Sequence, residues 1–190
     1  MSRRLLYVLI VLVALLQTGL ALANGGEVTH VSLQQTGGQW MLDADIDIHL
    51  GDELDEAAHK GVPLYFTVDL QIERPRWWWF DETVVDEQRT WRIQYNPLTR
   101  QWRTGTGDLS LPTPNLDEAL DQLRHIRHWA IGPTERFAAD QTWRGRLRLR
   151  LDTARLARPL QVDGLNSTAW ALTTPWKYFE FSTSADTHPE

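Results

Sequence analysis

The chain has 190 residues, ten of them tryptophan and none of them cysteine, and its 25 acidic and 19 basic residues give a net charge of −6. The lack of cysteine excludes disulfide bonds and a thiol nucleophile. The acidic balance disfavours binding to nucleic acid or to an anionic membrane surface.

The first 23 residues have the pattern of a secretory signal peptide. Arg3 and Arg4 form a short positive region, and an apolar run follows from Leu5 to Leu16. Ala21 and Ala23 complete a small-x-small cleavage site. We therefore expect Sec-type export to the periplasm with cleavage after Ala23. The alternative is an uncleaved N-terminal anchor, which would be the only contact of the chain with a membrane.

Residues 27–35 and 40–50 predict two strands joined by a glycine-rich hairpin turn. In the second strand every other residue is apolar, and the opposite face carries an aspartate row: Asp43, Asp45 and Asp47. A shift of register by one residue would bury these aspartates, so the register of this strand is well specified. Their spacing is similar to the start of a calcium loop, but Ile48 stands where such a loop needs glycine, so we expect a solvated strand face.

A short helix is expected from Asp52, its predicted N-cap, to Gly61, which ends it. The longest predicted strand comes next, from Val62 to Glu73. Its apolar side chains share one face and its polar side chains share the other, which is typical of a half-buried antiparallel strand.

An aromatic block follows this strand: Arg76, Trp77, Trp78, Trp79 and Phe80. Because neighbouring residues of a strand point to opposite faces, we expect Trp78 and Phe80 on one face and Trp77 and Trp79 on the other. The outward pair would suit stacking on a sugar ring or holding a peptide. Core packing with cross-strand ring pairs is the favoured interpretation.

A second helix is expected from its cap, Asn115, with an apolar stripe that runs to Ile126 and with basic residues up to His128 at its C-terminal end. His125 and His128 lie three residues apart near its end, a spacing that can bind a metal. The arginines beside them repel cations, and no third ligand is visible nearby. We therefore predict no metal site and no cofactor, and assign the histidines to the negative end of the helix dipole.

Residues 142–152 predict a strand with an outward arginine row: Arg144, Arg146, Arg148 and Arg150. The arginine row and the aspartate row must both point away from the core. If their strands are neighbours in one sheet, the two rows form a ladder of ion pairs that helps to set the register. If they are not neighbours, the arginine row is the better candidate for an anion-binding surface.

A hairpin over residues 91–104 and short segments after residue 158 bring the number of predicted strands to eight or nine. We predict one mainly β domain over residues 24–190, with an ordered core of about 27–183. The fold is expected to be an antiparallel β-sandwich or a strongly curved sheet with two short helices.

A set of turn and core motifs runs through the mature chain: Gly61–Leu64, Arg76, Trp77, Trp79–Asp81, Trp91-Arg92, Tyr95–Leu98, Leu116–Leu120, Leu149, Leu151-Asp152, Arg158-Pro159, Trp170 and Trp176. These motifs resemble an exported proteobacterial family called domain of unknown function 4390. None of them is catalytic, and the resemblance implies no activity. Members of that family are thought to be encoded beside a sensor histidine kinase of the nitrogen-regulation type, which implies an envelope-signalling context.

The sequence has no G-x-S-x-G elbow, no phosphate-binding glycine loop and no H-E-x-x-H motif. We therefore expect a non-enzymatic domain that binds a protein or peptide partner, such as a sensor kinase, in envelope signalling. One alternative is a periplasmic glycan- or lipid-binding protein that uses the aromatic block. Another is a hydrolase with dispersed carboxylates, whose separation a sequence does not reveal.

Overall fold

The computed structural model describes residues 26–75, 81–156 and 170–183. Within these ranges the chain forms nine strands and two α-helices, which confirms the predicted mainly β class. The strands are β1 (Glu27–Thr36), β2 (Gln39–Asp47), β3 (Leu64–Arg74), β4 (Glu82–Asn96), β5 (Gln101–Thr106), β6 (Leu111–Thr113), β7 (His125–Pro133), β8 (Gln141–Leu151) and β9 (Lys177–Thr183). The helices are α1 (Asp52–His59) and α2 (Leu116–Arg124). Neither is long and apolar enough to cross a membrane.

The strands build two sheets, and every pair of neighbouring strands is antiparallel. The smaller sheet has the order β1-β2-β7, and the larger has the order β6-β5-β4-β3-β8-β9. β3 lies near the middle of the larger sheet, with β4 on one side and β8 on the other. Every residue of β3 from Phe66 to Glu73 is therefore paired on both sides.

One hydrophobic core joins the two sheets and both helices. β3 contributes five side chains with no solvent exposure: Leu64, Phe66, Val68, Leu70 and Ile72. Aromatic rings link the sheets directly. The ring of Trp40 on β2 lies 5.4 Å from that of Phe181 on β9 and 5.8 Å from that of Phe137. Phe137 lies 5.1 Å from Trp143 on β8, nearly perpendicular to it, a favourable edge-to-face geometry.

A glycine allows β9 to pack closely against β8. Gly145 pairs with Phe179 in the register of these two strands. A Cβ atom at Gly145 would lie 2.1 Å from the end of the Phe179 ring. A glycine therefore occupies a core-facing position of β8, because the Phe179 ring of β9 fills the space that a side chain would need.

The second helix is shorter than its apolar stripe predicts. Asn115 caps α2 as expected, but the helix ends at Arg124, and Ile126 belongs to β7. The three-residue spacing from Ile126 to Trp129, which is typical of a helix, arises because β7 bulges at His128, where φ is +52°. The predictions that the helix reaches Ile126 and that His125 and His128 lie at the negative end of its dipole are therefore wrong, since both histidines belong to β7.

The predicted ladder between the aspartate row and the arginine row is also wrong. β2, which carries Asp43, Asp45 and Asp47, lies in the three-stranded sheet. β8, which carries the arginine row (Arg144, Arg146, Arg148 and Arg150), lies in the six-stranded sheet. The predicted faces are right, since the apolar residues of both strands are buried and the charged residues are not. The alternation of apolar and charged residues indicates which face of the sheet each side chain lies on, but it does not indicate which strands are neighbours in the sheet.

Candidate functional site

The aromatic block lies outside the described residues. Arg76, Trp77, Trp78, Trp79 and Phe80 follow the end of β3 along the chain. Their role as a ligand or partner site stays a prediction. The aspartate and arginine rows are both described, and each has partners within its own sheet.

The aspartate row pairs with β7 in the three-stranded sheet. Asp45 Oδ1 accepts hydrogen bonds from Nδ1 of His125 at 2.9 Å and from Nη2 of Arg127 at 2.5 Å. The bonds from His125 and Arg127 lower the pKa of Asp45, because both favour its charged form. Asp43 accepts the backbone N–H of His128 at 2.7 Å and so supports the bulge of β7.

The last carboxylate of the aspartate row lies in solvent. Asp47 is 3.4 Å from Nδ1 of His49, and both side chains are more than half exposed. Such a pair contributes little to stability. The aspartate row therefore serves the pairing of β2 with β7 and offers little free binding surface.

Two arginines of the row bind one buried carboxylate, that of Asp69 on β3. The register places Asp69 directly opposite Arg148 and two residue pairs away from Arg150, on the same face of the sheet. Nε of Arg148 donates to Oδ2 of Asp69 at 2.9 Å, and Nε of Arg150 donates to the same oxygen at 3.2 Å. The Asp69 side chain is 6% exposed, against 34% and 26% for the two arginines. Two cations therefore share one carboxylate.

The other two arginines of the row are held in the same way, each through Nε. Nε of Arg146 donates to Oε1 of Gln71 at 2.8 Å, and Nε of Arg144 donates to Oε1 of Glu180 at 3.1 Å. A bond at Nε fixes the guanidinium group while leaving its two terminal nitrogens for other acceptors. Neither terminal nitrogen of Arg148 has a hydrogen-bond partner among the described residues.

An indole ring stacks on two of these guanidinium groups. Cζ of Arg148 lies 4.4 Å from the ring centroid of Trp176, and Cζ of Arg146 lies 5.0 Å from it. Each such cation–π contact contributes about 0.5–1 kcal/mol at a partly exposed site. Trp176 therefore favours the observed geometry of both side chains.

We call the outer surface of the six-stranded sheet the arginine face. Six arginines on its strands point away from the core: Arg92, Arg103, Arg144, Arg146, Arg148 and Arg150. Four carboxylates on these strands point the same way: Asp69, Glu73, Asp86 and Glu180. The arginine face thus has two more positive than negative side chains, on a chain with a net charge of −6.

The described residues form a cleft and a pocket that are large enough for a small ligand. A cleft of about 370 Å³ lies beside α1 and α2, with Trp102, Leu120 and Arg124 in its lining. Arg124 is already paired with Asp121 at 3.0 Å, and the mixed lining selects no single ligand chemistry. A pocket of about 380 Å³ opens beside Arg92 on the arginine face, and none of its lining residues is acidic.

Sequence reasoning named Trp176 only as a motif residue of the resemblance, and it assigned no functional role to Asp69 or Trp176. Asp69 has a detectable signal, since it is a carboxylate in the middle of the longest alternating strand. If the strand that contains Asp69 is paired with the alternating strand of residues 142–152, the Asp69 carboxylate lies opposite the arginine row. Trp176 has no comparable signal, because it precedes β9 in a segment without regular structure.

One family model matches the chain over residues 23–180, and its description is "Domain of unknown function (DUF4390)". The match includes eight of the nine described strands in full and the first part of β9. No curated protein and no solved structure matches the chain. The geometry of the arginine face is therefore the basis for a functional assignment.

Replacing Asp69 by asparagine removes the carboxylate that Arg148 and Arg150 share. We expect the free energy of unfolding in urea to fall by about 2–4 kcal/mol, because Arg148 loses its countercharge and Arg150 keeps only the more distant Asp152, at 3.7 Å. Glu180→Gln is the matched control, since the Arg144–Glu180 pair is 59% and 61% exposed. It should cost less than about 1 kcal/mol. Equal losses in the two variants would contradict a central role for Asp69.

Asp45 should make stability depend on pH. Its folded-state pKa is lowered, so its contribution is present above the pKa of the unfolded chain, about 3.9. The contribution is lost as the pH falls through the lower folded value. We expect Asp45→Asn to be less stable than the wild type at about pH 7 and to lose less stability between about pH 5 and pH 3. Urea unfolding across this range measures both, and parallel curves for the two proteins would refute the assignment.

Proposed function

The chain belongs to the DUF4390 family, and we propose that it is an exported, non-enzymatic domain whose arginine face binds an acidic segment of a protein partner. The partner is of the class that the sequence leads us to expect, a protein of the cell envelope such as a sensor kinase. The arginine face is the binding surface, and the acidic segment lies along β8.

The observation that carries this proposal is the surplus of fixed positive charge on the arginine face. The outward side chains of its strands include six arginines and four carboxylates, and both Arg148 and Arg150 donate to Asp69, although Arg150 also lies 3.7 Å from Asp152. A carboxylate from a partner neutralises the surplus and accepts bonds from the terminal guanidinium nitrogens. Opposite charge also speeds the encounter between an acidic segment and this surface.

The arginines of the row are ordered before any partner arrives. Nε bonds hold Arg144, Arg146, Arg148 and Arg150, and Trp176 stacks on two of them. Immobilising a free side chain at an interface costs about 0.5–1.5 kcal/mol. The contacts within the fold already order these side chains. Binding therefore loses less side-chain entropy, which favours a higher affinity.

The charge of the whole molecule restricts the partner to a short anionic segment. Long polyanions, such as nucleic acid or an anionic membrane, also meet the acidic remainder of the surface and are repelled. A peptide that covers only the arginine face avoids this repulsion. β8 has 11 residues and is about 35 Å long, which gives room for an extended segment of similar length.

Isothermal titration of the purified full chain with a glutamate-rich peptide tests the proposal. We expect saturable binding that weakens as salt is added, and no binding of a lysine-rich peptide of equal length. The double variant Arg144→Gln/Arg146→Gln should bind about tenfold more weakly, because it removes two positive charges without touching Asp69.

Arg100→Asn is a control that removes one positive charge from a turn outside the arginine row. Arg100 is exposed in the β4–β5 turn with φ of 55°, a conformation that asparagine tolerates. Its affinity for the glutamate-rich peptide should equal that of the wild type. Failure of the glutamate-rich peptide to bind, or equal losses in the control and the double variant, would refute the proposed function.

A further inference from the structure

The pocket of about 380 Å³ on the arginine face lies beside the pairing of β3 with β4. Its lining side chains include Tyr65, Gln88, Thr90, Arg92 and Arg155. The end of β5 and the start of the following turn, residues 105–107, form part of its edge. The volume falls within the range of small-ligand pockets, about 300–1,000 Å³. Its lining supplies hydrogen-bond donors and positive charge but no carboxylate.

The two guanidinium groups of the pocket are only partly neutralised. Nε of Arg155 donates to Oδ2 of Asp152 at 3.2 Å, which orients the side chain. The same carboxylate also lies 3.7 Å from Nη1 of Arg150, so its charge is divided. Arg92 is exposed and forms no ion pair with any of the described residues. An incoming anion therefore meets positive charge that the fold has not satisfied.

Glycine gives the edge of the pocket its shape. A Cβ atom at Gly105 would lie 1.9 Å from the carbonyl oxygen of Leu109, so a larger residue does not fit. Gly107 has φ of +60° in the turn, which the N–H of Leu109 closes by donating to the carbonyl of Thr106 at 3.3 Å. Gly105 pairs with Arg92 across β4 and β5, so the folded loop stands directly beside that side chain.

We propose that this pocket binds one oxyanion group, a carboxylate or a phosphate, through Arg92 and Arg155. Each guanidinium has a planar fork of donors that matches two oxygens of such a group. The inference rests on the proposed function in one respect: the oxyanion belongs to the acidic segment that the arginine face holds. The arginine row attracts the segment along its length, and the pocket selects the residue at one position.

Nuclear magnetic resonance of the purified full chain tests the pocket. The Nε–H signals of Arg92 and Arg155 are followed while inorganic phosphate, or in a separate series glutarate, is added. We expect saturable shifts of both signals with at least one of the two anions, and the tighter one identifies the preferred oxyanion. Arg92→Gln and Arg155→Gln should each weaken binding by about tenfold or more, because each removes a charged hydrogen-bond donor.

Arg100→Asn is again the control and should bind the anions like the wild type. The pocket is refuted if neither anion shifts the two signals, or if Arg92→Gln loses no more affinity than the control. Arg92 is exposed, so this variant should keep its circular dichroism spectrum even if Arg155→Gln unfolds.

The glutamate-rich peptide separates the pocket from the proposed function. Peptide binding without anion binding would overturn the pocket and leave the arginine face as the partner site. Anion binding without peptide binding would overturn the proposed function and leave the pocket as an oxyanion site.

Discussion

The register of β3 against β8 is the constraint on which both the core and the arginine face depend. The register that pairs Val68 with Leu149 inside the core also sets Asp69 opposite Arg148 on the outside. A shift by one residue would place arginines between the sheets and expose the leucines. Burial of the apolar face is the larger free-energy term, and the shared carboxylate makes the alternative registers still less favourable.

The arginine face is the side of the six-stranded sheet that does not pack against the core. Strand alternation leaves this side free to carry charge without loss of packing. Its cations outnumber its carboxylates and are ordered by bonds at Nε and by the ring of Trp176. These features suit a surface that is completed by an anionic partner better than one that serves only to stabilise the sheet. The pocket beside Arg92 adds to this extended surface a site that selects one residue of the bound segment.

Local patterns predicted the faces of the strands because alternation depends only on neighbouring residues. The predicted faces of β2 and β8 are confirmed for this reason. The hairpin pairing of β1 with β2 is confirmed, but the pairing of β2 with β8 is wrong, since the order of strands that are distant in sequence depends on long-range packing that no local pattern contains. The bulge at His128 produced a helix-like spacing in β7. Asp69 could have been found by pairing the two longest alternations, whereas the position of Trp176 depends on tertiary structure alone.

Site-directed photo-cross-linking in cells that produce the full chain tests the central claim most directly. A photoreactive residue in place of Tyr178, which is 68% exposed and pairs with Arg146, reports on the arginine face. The same residue in place of Gln34, which is exposed on β1, reports on the outer face of the other sheet. The account predicts that position 178 captures an acidic segment of a partner protein and that position 34 does not. Equal capture of that segment at both positions, or capture of no acidic segment at position 178, would contradict it.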